Sequence, residues 1–326
     1  MKILILDADD LASACPMDEC IEEISRSFAL QAEGRVQSPL RTRLAAPSGD
    51  ILVMPSLAMR RKAEGTVKVV GIFPQNKGKT PSINAVVLLL DGESGEAKAM
   101  MQGGVLTAIR TGAVSGLSCR YLARKDSKKL GVIGAGGQAF QQVNGVVSEL
   151  GGIKEVKIFS RNSARSKALA ERCRRELKVD AQAAKSVDVC VKGSDVLVTA
   201  TDSKTPVFDG RQVQDGAHVV AIGAYRPDSR EVDSSLVSRA SVFVDSLEAA
   251  LKEAGDLLIP MGEGLLSKDS IRAELSELVL GRKRGRVSDS EVTLFKSVGL
   301  ALEDNAAGWM AYRRALKQGL GKWSEL

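Results

Sequence analysis

The sequence predicts an α/β protein, with a doubly wound parallel sheet in its middle and a second, α+β region around a meandering sheet. Three observations predict it. A glycine turn, Gly134-Ala-Gly-Gly-Gln-Ala139, stands between an apolar run and a helical pattern. After that turn, short apolar runs alternate with helical patterns, the order of parallel strands joined by crossover helices. Before it, residues 35–100 switch to strand-like runs broken by Gly, Pro and Asn, the mark of antiparallel strands.

The totals set the class. The chain has 326 residues, enough for about two domains. Its 46 basic and 40 acidic side chains leave a net charge of +6, too mild to call for a nucleic-acid or membrane partner. The Arg282-Lys-Arg-Gly-Arg286 cluster has no interleaved aromatics to stack on bases and reads as an exposed connecting loop. The five cysteines, at 15, 20, 119, 173 and 190, form no C-x-x-C pair. They read as free thiols of a reducing compartment, and a cytoplasmic location is expected. The apolar run Ile3–Leu6 is too short for a signal peptide, and no stretch has the length of a membrane span.

Taken in order, residues 17–33 form a helix. Ile21, Ile24 and Phe28 share one face, acids crowd the first turn, and Gly34 stops it. Leu40–Leu44, Ile51–Met54, Thr66–Phe73 and Ile83–Leu90 are the strands of the meander, with Arg60-Arg-Lys62 in an exposed loop. Residues 103–124 form a helix rich in small residues, suited to close packing against the neighbouring domain.

Leu130–Ile133, the glycine turn, a helix to about Leu150 and the run Val156–Phe159 then make strand, turn, helix, strand. The spacing G-x-G-x-x-A in that setting is a dinucleotide fingerprint of the Rossmann type. Gly134 permits the tight turn, Gly136 lets a pyrophosphate approach the backbone, and Ala139 keeps the helix close to the sheet. The helix start offers free N–H groups to the phosphates. The second strand ends in Ser160-Arg161-Asn162, with Arg165 one turn on and no acid beside them in sequence. An acid there would bind the ribose hydroxyls of NAD, whereas arginines pair with an added phosphate. NADP(H) is therefore expected, with NAD(H) as the alternative coenzyme.

Further strands are expected at 195–200, 217–222 and 241–245, and helices at 163–177, 184–192, 246–254 and 269–280. Val292–Ser297 reads as a last short strand before a C-terminal helix at 299–317.

Candidate chemistry is restricted by a single histidine, His218, inside an apolar strand. It reads as a hydrogen-bonded structural residue, so no histidine triad or metal site is expected. Lys68 lies between Val67 and Val69, where an unpaired ammonium would lose its solvation. Arg41 shares a strand face with Arg43, and Arg110 precedes Thr111-Gly112. These cations suit a small acidic substrate. Glu253 and Asp256 form a carboxylate pair that reads equally as a solvated helix end, with Glu253 a candidate substrate contact.

Several of these pieces together resemble the ornithine cyclodeaminase/mu-crystallin family. They include Pro39-Leu-Arg41, Val53-Met-Pro55, the Lys68 strand and Leu106-Thr-Ala-Ile-Arg-Thr-Gly-Ala113. The glycine turn, Arg230-Glu-Val-Asp233 and Phe295-Lys-Ser-Val-Gly299 complete the set. The resemblance implies that Arg41, Lys68 and Arg110 hold the substrate carboxylate and the reacting group, with Lys68 as the catalytic residue. It implies coenzyme contacts at Ser82, Gln138, Ala139, Ser160, Arg161, Asn162, Thr201, Ile222 and Ser297; with these, Arg110, Thr111, Gly134, Gly136, Gly137 and Arg165 make up the expected coenzyme site. It also implies a homodimer. Residues 1–118 and 300–326 would form the substrate-binding and dimerisation domain, and 119–299 the NADP-binding Rossmann domain.

Cyclodeaminases of the family have an acid where this chain has Leu52, and an aspartate where it has Ala224. The resemblance thus points to a reductase of small cyclic ketimine carboxylates, of the 1-pyrroline-2-carboxylate or 1-piperideine-2-carboxylate type. The alternatives are an amino-acid dehydrogenase making alanine or an N-alkyl amino acid, and, further off, a cyclodeaminase or a non-catalytic NADP-binding protein.

Overall fold

The computed structural model describes residues 2–76 and 81–325. In chain order the elements are β1 (Lys2–Leu6), α1 (Ala8–Ala14), α2 (Met17–Ala32), β2 (Val36–Gln37), β3 (Thr42–Ala46), β4 (Gly49–Met59), β5 (Ala63–Ile72), β6 (Ile83–Asp91), β7 (Ala97–Gln102) and α3 (Gly103–Leu122). Then follow β8 (Lys129–Ile133), α4 (Ala139–Leu150), β9 (Glu155–Phe159), α5 (Ser163–Leu177), β10 (Asp180–Ala183), α6 (Val187–Val191), β11 (Val196–Thr199), β12 (His218–Ala221), α7 (Ser234–Arg239) and β13 (Ser241–Val244). The chain ends with α8 (Leu247–Glu253), α9 (Gly255–Gly262), β14 (Ile271–Glu274), α10 (Leu275–Val279), β15 (Thr293–Lys296), α11 (Ala301–Gln318) and β16 (Lys322–Glu325).

Two compact units result, Met1–Arg110 with Leu300–Leu326, and Thr111–Gly299. The division falls inside α3, ahead of the expected boundary at 118. In the first unit the sheet runs β16-β1-β7-β6-β5-β4-β2, with β3 on β4. The long strands β4, β5 and β6 pair antiparallel. Their alternation puts Leu52, Met54, Lys68, Val70, Val87 and Leu89 on a buried face. Helices α2 and α11 pack onto that sheet. The opposite face keeps Val69, Val86 and Met100 exposed.

The second unit is an eight-stranded parallel sheet, β10-β9-β8-β11-β12-β15-β13-β14. The chain steps outward from β8 to β9 and β10, then returns to β11 on the other side of β8, the doubly wound order. Central strands β11, β12 and β15 are buried at every residue, as a sheet covered on both faces requires.

Some elements differ from expectation. Residues 269–280 hold a strand and a short helix, not one helix. Val292–Ser297 is not the last strand, because β16 pairs antiparallel with β1. Both β10 and β16 were without an apolar run to mark them. Among the described residues each pairs on one side only, so most of its side chains need not be apolar. In α3, Gly112 closes on α4 of its own unit: a Cβ on Gly145 would lie 1.9 Å from Gly112 O. Arg286 is not a free loop cation. It donates to the carbonyls of Leu122 and Ala217 and to Thr293 Oγ1. Arg60 likewise leaves its loop to pair with Glu23 and Glu64.

Candidate active site

In the second unit, the sequence-predicted coenzyme residues other than Thr111 gather at the carboxyl ends of five adjacent strands, β9, β8, β11, β12 and β15. Gly134 follows β8 with φ +116, a left-handed backbone, and a Cβ there would meet Ala200 O at 2.3 Å. By contrast, among the described residues nothing lies within 4 Å of Cβ atoms placed on Gly136 and Gly137, so the turn is open to a ligand. Helix α4 starts at buried Ala139, and its N-cap residue, Gln138, makes no side-chain cap bond. Ala139 N is taken by Gly136 O at 3.1 Å, and no side chain caps the rest of that first turn, whose remaining N–H groups suit an anion. Gln138 Oε1 is buried without a hydrogen-bond partner among the described residues. These features fit a dinucleotide.

Beyond β9, Asn162 Oδ1 accepts from Arg165 N and caps α5. Ser160 Oγ accepts from Asn162 N. Arg165 lines a groove of about 440 Å³ with Gly136, Gly137 and Arg172. Arg172 escaped the sequence reading, although it lies two turns after Arg165 on the same helix. Its guanidinium stacks on Phe140 at 3.6 Å. A carboxylate is also closer than the local sequence implied: Asp202 Oδ1, from the turn after β11, is 3.7 Å from Arg161, both groups being exposed.

Thr201 gives its N–H and hydroxyl to Glu231. Ile222 N donates to Thr199 O, and Ser297 Oγ to Asp245. Glu253 and Asp256 part company. Glu253 is half-buried on α8, whereas Asp256 is fully buried and ion-paired with Lys296, not solvated. His218 is a structural residue, as expected. Its ring nitrogens face Ser118 Oγ at 3.2 Å and Thr293 Oγ1 at 2.9 Å. Burial, with Arg286 nearby, pushes it down to about 3, so the ring is neutral.

In the first unit, Lys68 and Arg110 converge on the first turn of α11. Lys68 Nζ is 2.6 Å from Asp304 Oδ2 and 3.5 Å from Thr107 Oγ1. Arg110 Nε donates to Asp304 Oδ1 at 3.3 Å, and its NH1 to Glu303 Oε2. Asp304 and Glu303 are both fully buried. Burial, then Arg110, lowers Lys68 to about 8 against the pull of Asp304; Arg41 adds to the lowering. Burial disfavours the Arg110 charge too, but Asp304 and Glu303 outweigh it and its pKa rises. Arg41 precedes β3, outside the strand expected for it. Arg43 is engaged with Asp50 at 2.8 Å. Ser82 is exposed just before β6. Thr111, also buried, begins the second unit.

Sequence reading missed Glu303 and Asp304. Acids in a first helical turn look like ordinary complements to the helix dipole. The available signal is that Leu300–Ala307 has no other polar residue but Asn305, so those acids lie in a helix without a wet face.

The sequence profile of the ornithine cyclodeaminase/mu-crystallin family matches residues 1–319. A Delta(1)-pyrroline-2-carboxylate reductase of Bacillus cereus is 38% identical over 324 residues, covering 98% of each chain. Among solved structures, the Delta(1)-pyrroline-2-carboxylate reductase of Thermococcus litoralis, in complex with NADH and L-proline, is 40% identical. It covers 98% of this chain and 99% of its own, with a TM-score of 0.94. An archaeal alanine dehydrogenase dimer with bound NAD is 32% identical with a TM-score of 0.92, over the whole of both chains.

Proposed function

The chain belongs to the ornithine cyclodeaminase/mu-crystallin family, and from that premise we propose that it reduces small cyclic ketimine carboxylates of the 1-pyrroline-2-carboxylate type. It is an oxidoreductase acting on C=N bonds. A reduced nicotinamide coenzyme, when bound, supplies the hydride. The second unit's glycine turn would hold the pyrophosphate, with the start of α4 facing it.

The observation that carries the reading is the Lys68–Asp304–Arg110–Glu303 cluster. Arg110 and Arg41 grip the substrate carboxylate. Lys68, lowered to about 8 by burial and Arg110, orients the substrate and disfavours unproductive poses. Asp304 and Glu303 offset the buried cations, so a protonated imine is not repelled. Since such an imine arrives already activated, a site without histidine suffices.

NADPH is the preferred coenzyme in this reading. Its support is the groove flanked by Arg165 and Arg172, together with the lack of an acid at the end of β9 itself. The working unit is a homodimer, supported by the exposed apolar sheet face and by the dimeric archaeal neighbour. Five free, buried cysteines support a cytoplasmic location. A second reading, reductive amination of a 2-oxo acid, is favoured by the likeness to alanine dehydrogenase.

The test is steady-state reduction of both cyclic imines with NADPH or NADH, beside pyruvate with ammonia. The imines should give the higher kcat/KM, and Lys68→Ala should lower it by at least about 100-fold. Arg165→Ser should move the NADPH/NADH preference about tenfold toward NADH, the size of one charge-assisted contact. Faster turnover of pyruvate with ammonia would favour the second reading, and an unimpaired Lys68→Ala would remove Lys68 from the mechanism.

A further inference from the structure

The switch point of the second sheet lies between β8 and β11. In an open parallel sheet the ligand sits outside the carboxyl ends of the strands at that point. The turns there meet backbone to backbone. A Cβ on Gly134 would be 2.3 Å from Ala200 O and 3.3 Å from Thr201 Cγ2, and one on Gly223 would be 2.1 Å from Thr201 O. With no side chain as a spacer between the turns after β8, β11 and β12, a displacement of one turn is passed to the next.

Glu231 ties two of these turns together. It is fully buried. Its Oε1 accepts from Thr201 N at 2.6 Å and Thr201 Oγ1 at 2.7 Å. Its Oε2 accepts from Gly223 N at 2.6 Å and Thr199 Oγ1 at 3.0 Å. Four neutral donors thus converge on one carboxylate. Below it, Asp256 Oδ1 accepts from Glu231 N at 2.6 Å and Val232 N at 3.0 Å. Asp256 Oδ2 is 2.8 Å from Lys296 Nζ, which also donates to Ala224 O in the turn after β12. Lys296 sits on β15, directly beside Ala221 of β12. All three charged groups are fully buried, so they support the carboxyl edge of the sheet from within.

We propose that Glu231 is a positioning residue for the coenzyme, setting the turns after β11 and β12 against the glycine turn through Thr201 and Gly223. The proposal rests on the coenzyme reading above. A carboxylate is required because each of its oxygens faces a backbone N–H, Thr201 N on one and Gly223 N on the other, which can only donate. Glu231→Gln keeps the size but turns one acceptor into a donor facing another donor, so one turn must shift. Burial, with Asp256 adding to it, raises the Glu231 pKa against the pull of Lys296 and of the Thr201 hydrogen bonds.

The experiment is equilibrium titration of NADPH and NADH into the full chain, followed by nicotinamide fluorescence, with denaturant unfolding measured without coenzyme. Glu231→Gln should raise the coenzyme Kd about tenfold, the loss expected when a charge-assisted contact is broken. Ser118→Ala is the comparison. It breaks a buried hydrogen bond to His218, at the opposite end of β12, and should lower stability while leaving Kd at the wild-type value. Thr199→Val, which removes one of the four donors from a fully buried strand position, should raise Kd about threefold. If Glu231→Gln does not fold, this variant alone decides. A wild-type Kd in Glu231→Gln or in Thr199→Val would overturn the proposal. Failure of the wild-type chain to bind either coenzyme would overturn the coenzyme reading itself, and this proposal with it.

Discussion

Lys68 illustrates how one residue can be read from its neighbours and still be half understood. Its place between two valines on a strand required a partner for the charge, and the partner is Asp304, 236 residues away along the chain. Buried pairs of this kind are costly to break from one side, because the remaining charge is left uncompensated. His218 is the opposite case, a buried ring held neutral. Its pKa falls from the ordinary 6.5 to about 3, so between those values the unfolded chain binds the proton and the folded chain does not. Its contribution is therefore complete above 6.5 and is lost as pH falls toward 3, at about 1.4 kcal/mol per pH unit. Urea unfolding at about pH 7.5 and 5 should show a loss of about 2 kcal/mol from this residue, and His218→Asn should flatten that dependence. An unchanged slope in the variant would show that His218 is not its source.

At the scale of elements, the close approach of α3 and α4 depends on two glycines. A Cβ on Gly145 would lie 1.9 Å from the backbone oxygen of Gly112, which cannot move as a side-chain tip can. Gly145→Ala should therefore cost roughly 1–3 kcal/mol despite alanine's better helix propensity. Gly262, at the end of α9, has nothing within 4 Å of its Cβ position. Gly262→Ala should be neutral or slightly stabilising, and thermal melts of the two variants compare them directly. Equal melting temperatures would mean the helices can separate at little cost. The glycine turn was legible because its spacing is local. The acids on α11 were not, because what engages them is Lys68 of β5 and Arg110 of α3, not their own helix.

At the scale of the whole molecule, the first unit's sheet covers one face with α2 and α11 and leaves the other apolar. Val69 lies opposite Val53 and Val86 in register, and Val69 and Val86 are 43% and 46% exposed. An apolar patch of paired strand residues is costly to leave in water, and a second copy of the chain would bury it. Val69→Glu should convert the proposed dimer to monomer in sedimentation velocity while the far-ultraviolet spectrum stays native. A dimer that survives the substitution would place the interface elsewhere.

The doubly wound sheet, the glycine turn and the need of Lys68 for a partner were legible in the amino-acid order alone, because each is encoded in local spacing or local periodicity. Long-range folding alone brings Asp304 and Glu303 to Lys68 and Arg110, Asp202 to Arg161, and Glu231 between two turns. Those depend on which strands and helices become neighbours, and a buried charge chooses its partner by distance in space, where separation along the chain counts for nothing.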